Sequence, residues 1–576
     1  MKRVPFPRLI LFLLVFAASE GATCASLPSY SITGVVVDSV TKNPVPHCHL
    51  DAALVVRGRN PGRRAATSNG VDADEHGHFA LALPSAGAWH LTASAPSYVS
   101  QAYDEHDGYS SAVVLTMASP SSDLEFKLSP QARISGTVLD DAGEAVRNAT
   151  VQLLKLAISA PGQHSTEQFS SRSFIQTDDR GVYEFANLAP GNYRLAVQAK
   201  PWYANVGRQR RFADGGFGAT SIPPMQSSAL DVTYQLTWYP GMDTQAQAEI
   251  LTLAAGDERR ADFHLVPVPS LHLQIVPPPP AQQVNGGRPI PLFPIVERVD
   301  SGAGNVGFTQ ISTITGPQGQ IDIGGLSPGT YRIRLQGQNQ DSRTAVVTVS
   351  EGSSRTIDFN AATEAMSNVT VRLDNDAEDG RPLLVELTDM ATGQRFFPSG
   401  PGRAMAPNMR RGSQSQLPRD ISLQVPPGRY EVSVQNRGDA YLTGISAQGA
   451  EITGRFLTIP RGDVTLLLHT ASGHATITGI ATLKSRPCAG AVILLVPAGL
   501  DDPGSFAAVG RDQTNTDGSF DLEDVVPGQY ILVAIDRGWG INLSDPATLR
   551  NYLVQGIPLD LRSGANVKQN IDAQAP

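Results

Sequence analysis

Several groups of residues in this 576-residue chain have types and spacings that could do chemistry. His164-Ser165-Thr166-Glu167 supplies a His-x-x-Glu pair, two side chains of the kind that ligate zinc. The pair lies in a polar loop between Leu156 and Phe174, and the chain lacks the alternating helices and strands that a zinc peptidase domain needs, so it reads as a coincidence. Six of the eleven histidines, His47, His49, His76, His78, His90 and His106, fall in the first fifth of the chain with Cys48. Alternation would put His47 and His49 on one face, but ligation needs three or four converging donors, so they read as surface residues and no metal is expected. Gly302-Ala303-Gly304-Asn305-Val306-Gly307 fits a dinucleotide fingerprint in letters only, because Phe308 to Ile314 reads as a strand and offers no helix N-terminus to a pyrophosphate. Arg461-Gly462-Asp463 follows a proline and precedes a strand, which makes it an ordinary turn.

The most suggestive chemistry sits in a stretch at about 200–240, carrying Trp202, Tyr203, Arg208, Arg210, Arg211, Phe212, Phe217, Tyr234, Trp238 and Tyr239. Exposed rings on a loop stack on the apolar faces of sugars, and arginines hold uronic or sulfated groups with paired hydrogen bonds. Trp202, Tyr203, Arg210, Arg211, Trp238 and Tyr239 are therefore the candidate carbohydrate-binding residues. The competing reading packs these rings beneath their own loop as a satellite core. Asp72-Ala73-Asp74 and Asn515-Thr516-Asp517-Gly518 could offer oxygens to calcium, but Asp and Asn also favour turns for their own local hydrogen bonds, which is the reading adopted.

The elements that must position these groups recur. Pro190-Gly191-Asn192-Tyr193, Pro328-Gly329-Thr330-Tyr331, Pro427-Gly428-Arg429-Tyr430 and Pro527-Gly528-Gln529-Tyr530 share one phrase, with a worn copy at Ala86-Gly87-Ala88-Trp89. The copies lie roughly 100 to 140 residues apart, close to a domain's length, so each marks a self-contained domain. Pro-Gly suits a type II turn with glycine at the positive-φ position, and the alternation Tyr193, Leu195, Val197 then turns the aromatic inward. Short alternating strands bounded by Asp/Gly turns, about seven per copy, predict antiparallel two-sheet sandwiches. Helix is scarce: Ser544-Asp545-Pro546 predicts one short helix over Ala547 to Leu553.

Lys2, Arg3 and Arg8 precede an apolar run from Leu9 to Ala18 and small residues at Ala22 and Ala25, the pattern of an export signal. No later stretch reaches the roughly 20 apolar residues of a membrane helix, so no membrane span is expected. Without Cys24 only Cys48 and Cys488 remain, in different repeats, and no disulfide framework follows. The net charge of −9 argues against nucleic acid as a partner.

One copy carries a resemblance. Gly136-x-Val138-x-Asp140, the Ala145-Val146 turn, Thr177-Asp178-x-x-Gly181-x-Tyr183-x-Phe185 and Leu188-x-Pro190-Gly191-x-Tyr193-x-Leu195 resemble the carboxypeptidase regulatory-like domain. The segment Tyr239-Pro240-Gly241 through Leu265 is similar to a tail found in large secreted bacterial members. The resemblance implies a non-catalytic, prealbumin-like or starch-binding-like sandwich, often surface-exposed and sometimes credited with carbohydrate binding. Related B-type sandwiches can carry a Lys–Asn isopeptide bond. No lysine lies between Lys200 and Lys484, which excludes this bond in the third and fourth copies, while in the fifth Lys484 could meet Asn566 or Asn570.

The expectation is an all-β tandem array of about five Ig-like or prealbumin-like antiparallel sandwiches, strung end to end. The expected map is a signal peptide at 1–25 and sandwiches at 26–129, 130–268, 269–361, 362–471 and 472–576. The expected function is that of an exported, non-enzymatic module of the cell envelope or beyond it, without cofactor. Its partner would be a polysaccharide or, on the alternative reading of a structural scaffold, an envelope protein.

Overall fold

Successive side chains of a strand point to opposite faces, and Ala132–Asp140 obeys this along its whole length, with Ala132, Ile134, Val138 and Asp140 buried between half-buried neighbours. Ala475–Leu483 and His78–Leu83 alternate in the same way. The computed structural model describes residues 30–55, 70–156, 169–205, 230–277, 293–298, 311–315, 320–336, 343–351, 356–359, 367–374, 384–390, 395–397, 421–435, 440–499, 505–543 and 545–576.

These strands build five successive two-sheet sandwiches, each closing on its own apolar core. In every one the strand that follows the repeated glycine lies against the sandwich's second long strand. Gly87–Ser94 pairs antiparallel with His49–Leu54, Gly191–Gln198 with Thr150–Leu156, Gly329–Gln336 with Phe293–Arg298, Gly428–Gln435 with Leu384–Asp389, and Gly528–Ile535 with Val492–Pro497. The opposite sheet holds the first strand of each sandwich. One pairing there departs from a purely antiparallel reading, because the first strand also runs parallel to a strand near the end of its own sandwich. Tyr30–Asp38 does so with Ser121–Leu128, Leu271–Val276 with Thr356–Asp358, and Ser367–Leu373 with Asp463–Ser472. In the second and fifth sandwiches two short strands share that role, Glu258–Arg260 with Phe263–Leu265 and Asn566–Lys568 with Ile571–Asp572. Each sandwich is thereby tied shut from both ends of its sequence.

The repeated aromatic does one physical job five times. Tyr193, Tyr331, Tyr430 and Tyr530 are buried, and each hydroxyl donates to the carbonyl four residues back: Ala189 at 2.6 Å, Ser327 at 2.8 Å, Pro426 at 2.6 Å and Val526 at 2.6 Å. In the worn copy the indole N–H of Trp89, fully buried, donates to Ser85 at 3.2 Å. A buried ring thus satisfies a carbonyl of the preceding turn that would otherwise be left without a partner.

The glycine before it is not the positive-φ corner of a type II turn. It opens the strand, with φ of 151° at Gly191 and 159° at Gly329, and Gly428 and Gly528 have no positive φ at all. A Cβ at Gly428 or Gly528 would meet the ring of the tyrosine two residues on at 3.5 or 3.6 Å, an ordinary contact, whereas the φ of Gly191 is one that side chains rarely adopt. A second glycine, in the first strand, is needed more strictly. A Cβ at Gly34, Gly136 or Gly479 would come within 1.9, 1.9 or 1.8 Å of the carbonyl oxygens of Leu124, Ala261 and Gln569, where the parallel partner crosses. Tyr183 donates to that same Ala261 carbonyl.

The short helix is present as Pro546–Leu553, and the Asp545 carboxylate caps it by accepting from the Ala547 and Thr548 amides. Among the described residues no helix is long and apolar enough to cross a membrane.

Removing only the hydroxyl in Tyr430→Phe should cost the fourth sandwich about 1 kcal/mol, the usual worth of such a hydrogen bond, whereas Tyr430→Ala should cost about 3–5 kcal/mol through the cavity it leaves. Urea unfolding followed by hydrogen exchange in Ser367–Leu373 and Gly428–Gln435 reads both. Gly136→Ala should destabilise the second sandwich by about 1–3 kcal/mol through overpacking, while Gly143→Ala, whose Cβ meets nothing within 4 Å, tests φ strain alone.

Candidate functional site

The aromatic stretch divides into an outer and an inner part. Trp202 opens the short 3-10 helix Trp202–Asn205 and is 56% exposed, with its ring edge-on to Tyr203 at 5.8 Å and 85°. Arg208, Arg210, Arg211, Phe212 and Phe217 lie outside the described residues. Trp238 is fully buried. Its strand, Thr237–Trp238, pairs with Ala196 and Val197, and its ring belongs to a satellite core with Leu154, Ala196, Leu236 and Ala248, against which Met242 packs. Tyr239 packs against the main core, edge-on to Phe263 at 5.7 Å and 77°. The expectation of an exposed sugar-stacking ring is therefore corrected for Trp238, which is enclosed in that satellite core, while Tyr239 is partly buried. The signal was present in the sequence: Tyr234, Leu236 and Trp238 follow period two and are all buried, so the end of the stretch is strand rather than exposed loop.

The stretch also builds the junction between the second and third sandwiches. Val232–Tyr234 pairs antiparallel with Pro267–Pro269, the segment leading into the third sandwich. The Thr233 hydroxyl donates to the Gly325 carbonyl at 3.2 Å, and the Gly325 amide donates to the Ser270 hydroxyl at 2.9 Å. Lys200 reaches the Ile311 carbonyl at 3.1 Å. Between these contacts lies a cavity of about 30 Å³ lined in part by Gln198, Tyr234, Arg298, Ser327 and Tyr331. That volume suits one water, not a sugar ring.

At the same junction His272 lies between two carboxylates, with Nε2 2.7 Å from Asp231 Oδ2 and Nδ1 3.6 Å from Asp322 Oδ2. Asp322 and Asp231 hold the imidazolium and raise its pKa above the ordinary histidine value, against the opposing effect of burial. A pKa raised by folding contributes stability that is complete below the unfolded value, about 6.5, and fades as pH rises through the folded one. Hydrogen exchange at the Gly325 and Ser270 amides should therefore speed up from pH 6 to pH 9 beyond its intrinsic increase, and His272→Gln should remove that excess.

The remaining candidates resolve locally. Asp74 accepts from the His76 and His78 amides, Asp178 from those of Arg180 and Val182, and Asp517 from that of Ser519. These bonds lower the Asp74 and Asp178 pKa values and are the local turn bonds expected of such residues. His47 sits at φ 54°, outside the strand His49–Leu54, so the two side chains do not share a strand face as alternation had suggested. His49 is engaged by Asp72 at 2.6 Å and Asp51 at 3.2 Å. Among the described residues no group of three or more metal-binding side chains converges. Lys484 stands exposed in a hairpin, while the Asn570 side chain accepts from the Ile480 amide at 3.0 Å. Cys48 and Cys488 are free and buried, each thiol pushed up to about 11 mainly by burial. The segments 164–167 and 302–307 lie outside the described residues.

Residues 133–209, in the second sandwich, match the family model of the carboxypeptidase regulatory-like domain. No curated protein matches the chain. Among solved structures, GBS52, the minor pilin of Streptococcus agalactiae, is similar at 10% identity and a TM-score of 0.22, covering 44% of this chain and 100% of that one. A streptococcal ancillary pilin is similar at 11% identity and 0.19, covering 57% and 98%, and the Bacillus anthracis TIE protein at 8% and 0.16, covering 95% and 74%. At these values the likenesses carry no argument about function.

Proposed function

We propose that this chain is an exported, non-catalytic scaffold whose sandwiches hold envelope proteins at fixed separations. One observation carries the reading: the polar tips of the repeated segments are turned inward and spent on their own backbone. Five aromatic tips donate to carbonyls four residues back, and the turn aspartates accept from amides two to four residues on. Such groups position strands and leave little to recognise a small molecule. The apolar leader at residues 9–18 supports export. Crosslinking in whole cells should recover one envelope protein reproducibly; a scatter of unrelated neighbours would sink the scaffold reading.

A second reading, carbohydrate binding, rests on Trp202 alone, whose exposed ring stands beside Tyr203 and close in sequence to Arg210 and Arg211. On that reading Trp202→Ala abolishes retention on a polysaccharide column without altering unfolding. Trp238→Ala instead weakens the second sandwich by about 3–5 kcal/mol, as for any buried indole. Absence of retention across a broad glycan panel would end this reading.

A further inference from the structure

The first and fifth sandwiches, far apart in sequence, are in direct contact. The Ser111 hydroxyl donates to the Thr514 carbonyl at 2.8 Å, and the Ala112 amide to the Asn515 side-chain oxygen at 2.9 Å, each across 403 residues. The Thr516 amide returns a bond to the Ala112 carbonyl at 3.0 Å, and the Val114 amide donates to the Thr516 hydroxyl at 3.0 Å. The Gln513 amide nitrogen spans Asp104 O at 2.6 Å and Ser111 Oγ at 2.9 Å. Ser111, Gln513 and Thr514 are 0–1% exposed, so water does not compete for these bonds.

Beside this ladder Arg511 packs against aromatic rings from both sandwiches, Tyr109 and Trp539, which stack on each other at 5.8 Å. Its guanidinium lies 4.5 Å from the Trp539 ring centroid and 5.1 Å from that of Tyr109, with Asp107 3.5 Å away. His106 stacks on Trp539 at 5.3 Å and 10°. The Trp539 indole is fixed from behind by donation to the Gly490 carbonyl at 3.0 Å. A Cβ at Gly490 would come within 2.5 Å of Asp104 Oδ2, so the Asp104 side chain packs against the bare glycine. The loop that reaches across holds Asp104 and Asp107 at φ 53°, a left-handed conformation unusual for residues other than glycine.

Aromatic and arginine anchors packed beside buried hydrogen bonds are what make a protein interface strong. We propose that the two ends of the array form a self-recognition site, in which the loop Asp104–Val114 of the first sandwich and the surface of Gly490, Arg511–Thr516 and Trp539 of the fifth bind each other independently of the chain between them. The array is then a closed loop held by a non-covalent clasp rather than an open string.

The test uses the intact chain. A protease site is placed within 360–366, after the third sandwich's last described strand and before Ser367–Leu373; the protein is folded, cut, and run on size exclusion at micromolar concentration. The two fragments should elute together. In the cut Asp107→Ala/Tyr109→Ala protein they should separate, with the dissociation constant raised at least tenfold, and Arg511→Ala should do the same from the other side. Hydrogen exchange in Tyr30–Asp38 and Val492–Pro497 should be unchanged, which establishes that both sandwiches remain folded. Separation of the unaltered fragments would overturn the proposal, and so would fragments that stay together equally well in all variants.

Discussion

A hydrogen bond from a buried aromatic tip to the carbonyl four residues earlier fixes the rest of each sandwich. It joins the turn, whose carbonyl needs a donor, to the core, whose ring needs a place, so turn geometry and core packing cannot vary separately. The strand that carries the ring begins at the glycine between them. That the first sandwich replaces the phenol with an indole and keeps the four-residue interval indicates that the bond matters more than the residue making it.

The second constraint is closure. A strand near the end of each sandwich runs parallel to its first, so a single sheet edge joins both ends of the domain's sequence. Where the crossing is tightest the first strand carries glycine, as at Gly34, Gly136 and Gly479. The third and fourth sandwiches have no glycine within their first strands, Leu271–Val276 and Ser367–Leu373, and pair there in a regular parallel register.

Much of this was legible in the sequence because it is local. The tyrosine phrases marked the strands, alternation marked the buried faces, and Asp545-Pro546 marked the helix start. What was not legible depends on contacts between distant residues. The need for glycine at Gly34, Gly136 and Gly479 follows from a strand crossing close by, not from turn chemistry. The burial of Trp238 depended on recognising that two residues, Thr237–Trp238, continue a sheet. The pairing of Ala112 with Asn515 and Thr516 has no periodicity to betray it. His106, which reads in the sequence as one of several scattered histidines, is a stacking partner of Trp539.

The clasp also sets an order of events during synthesis. A ribosome releases the loop around Tyr109 long before Arg511 and Trp539 exist, and contacts separated by 402 to 409 residues form after local ones. Newly made first sandwiches therefore present an unfilled aromatic and acidic surface for most of translation. On a polysome the fifth sandwich of a chain ahead is the nearest thing that fits it.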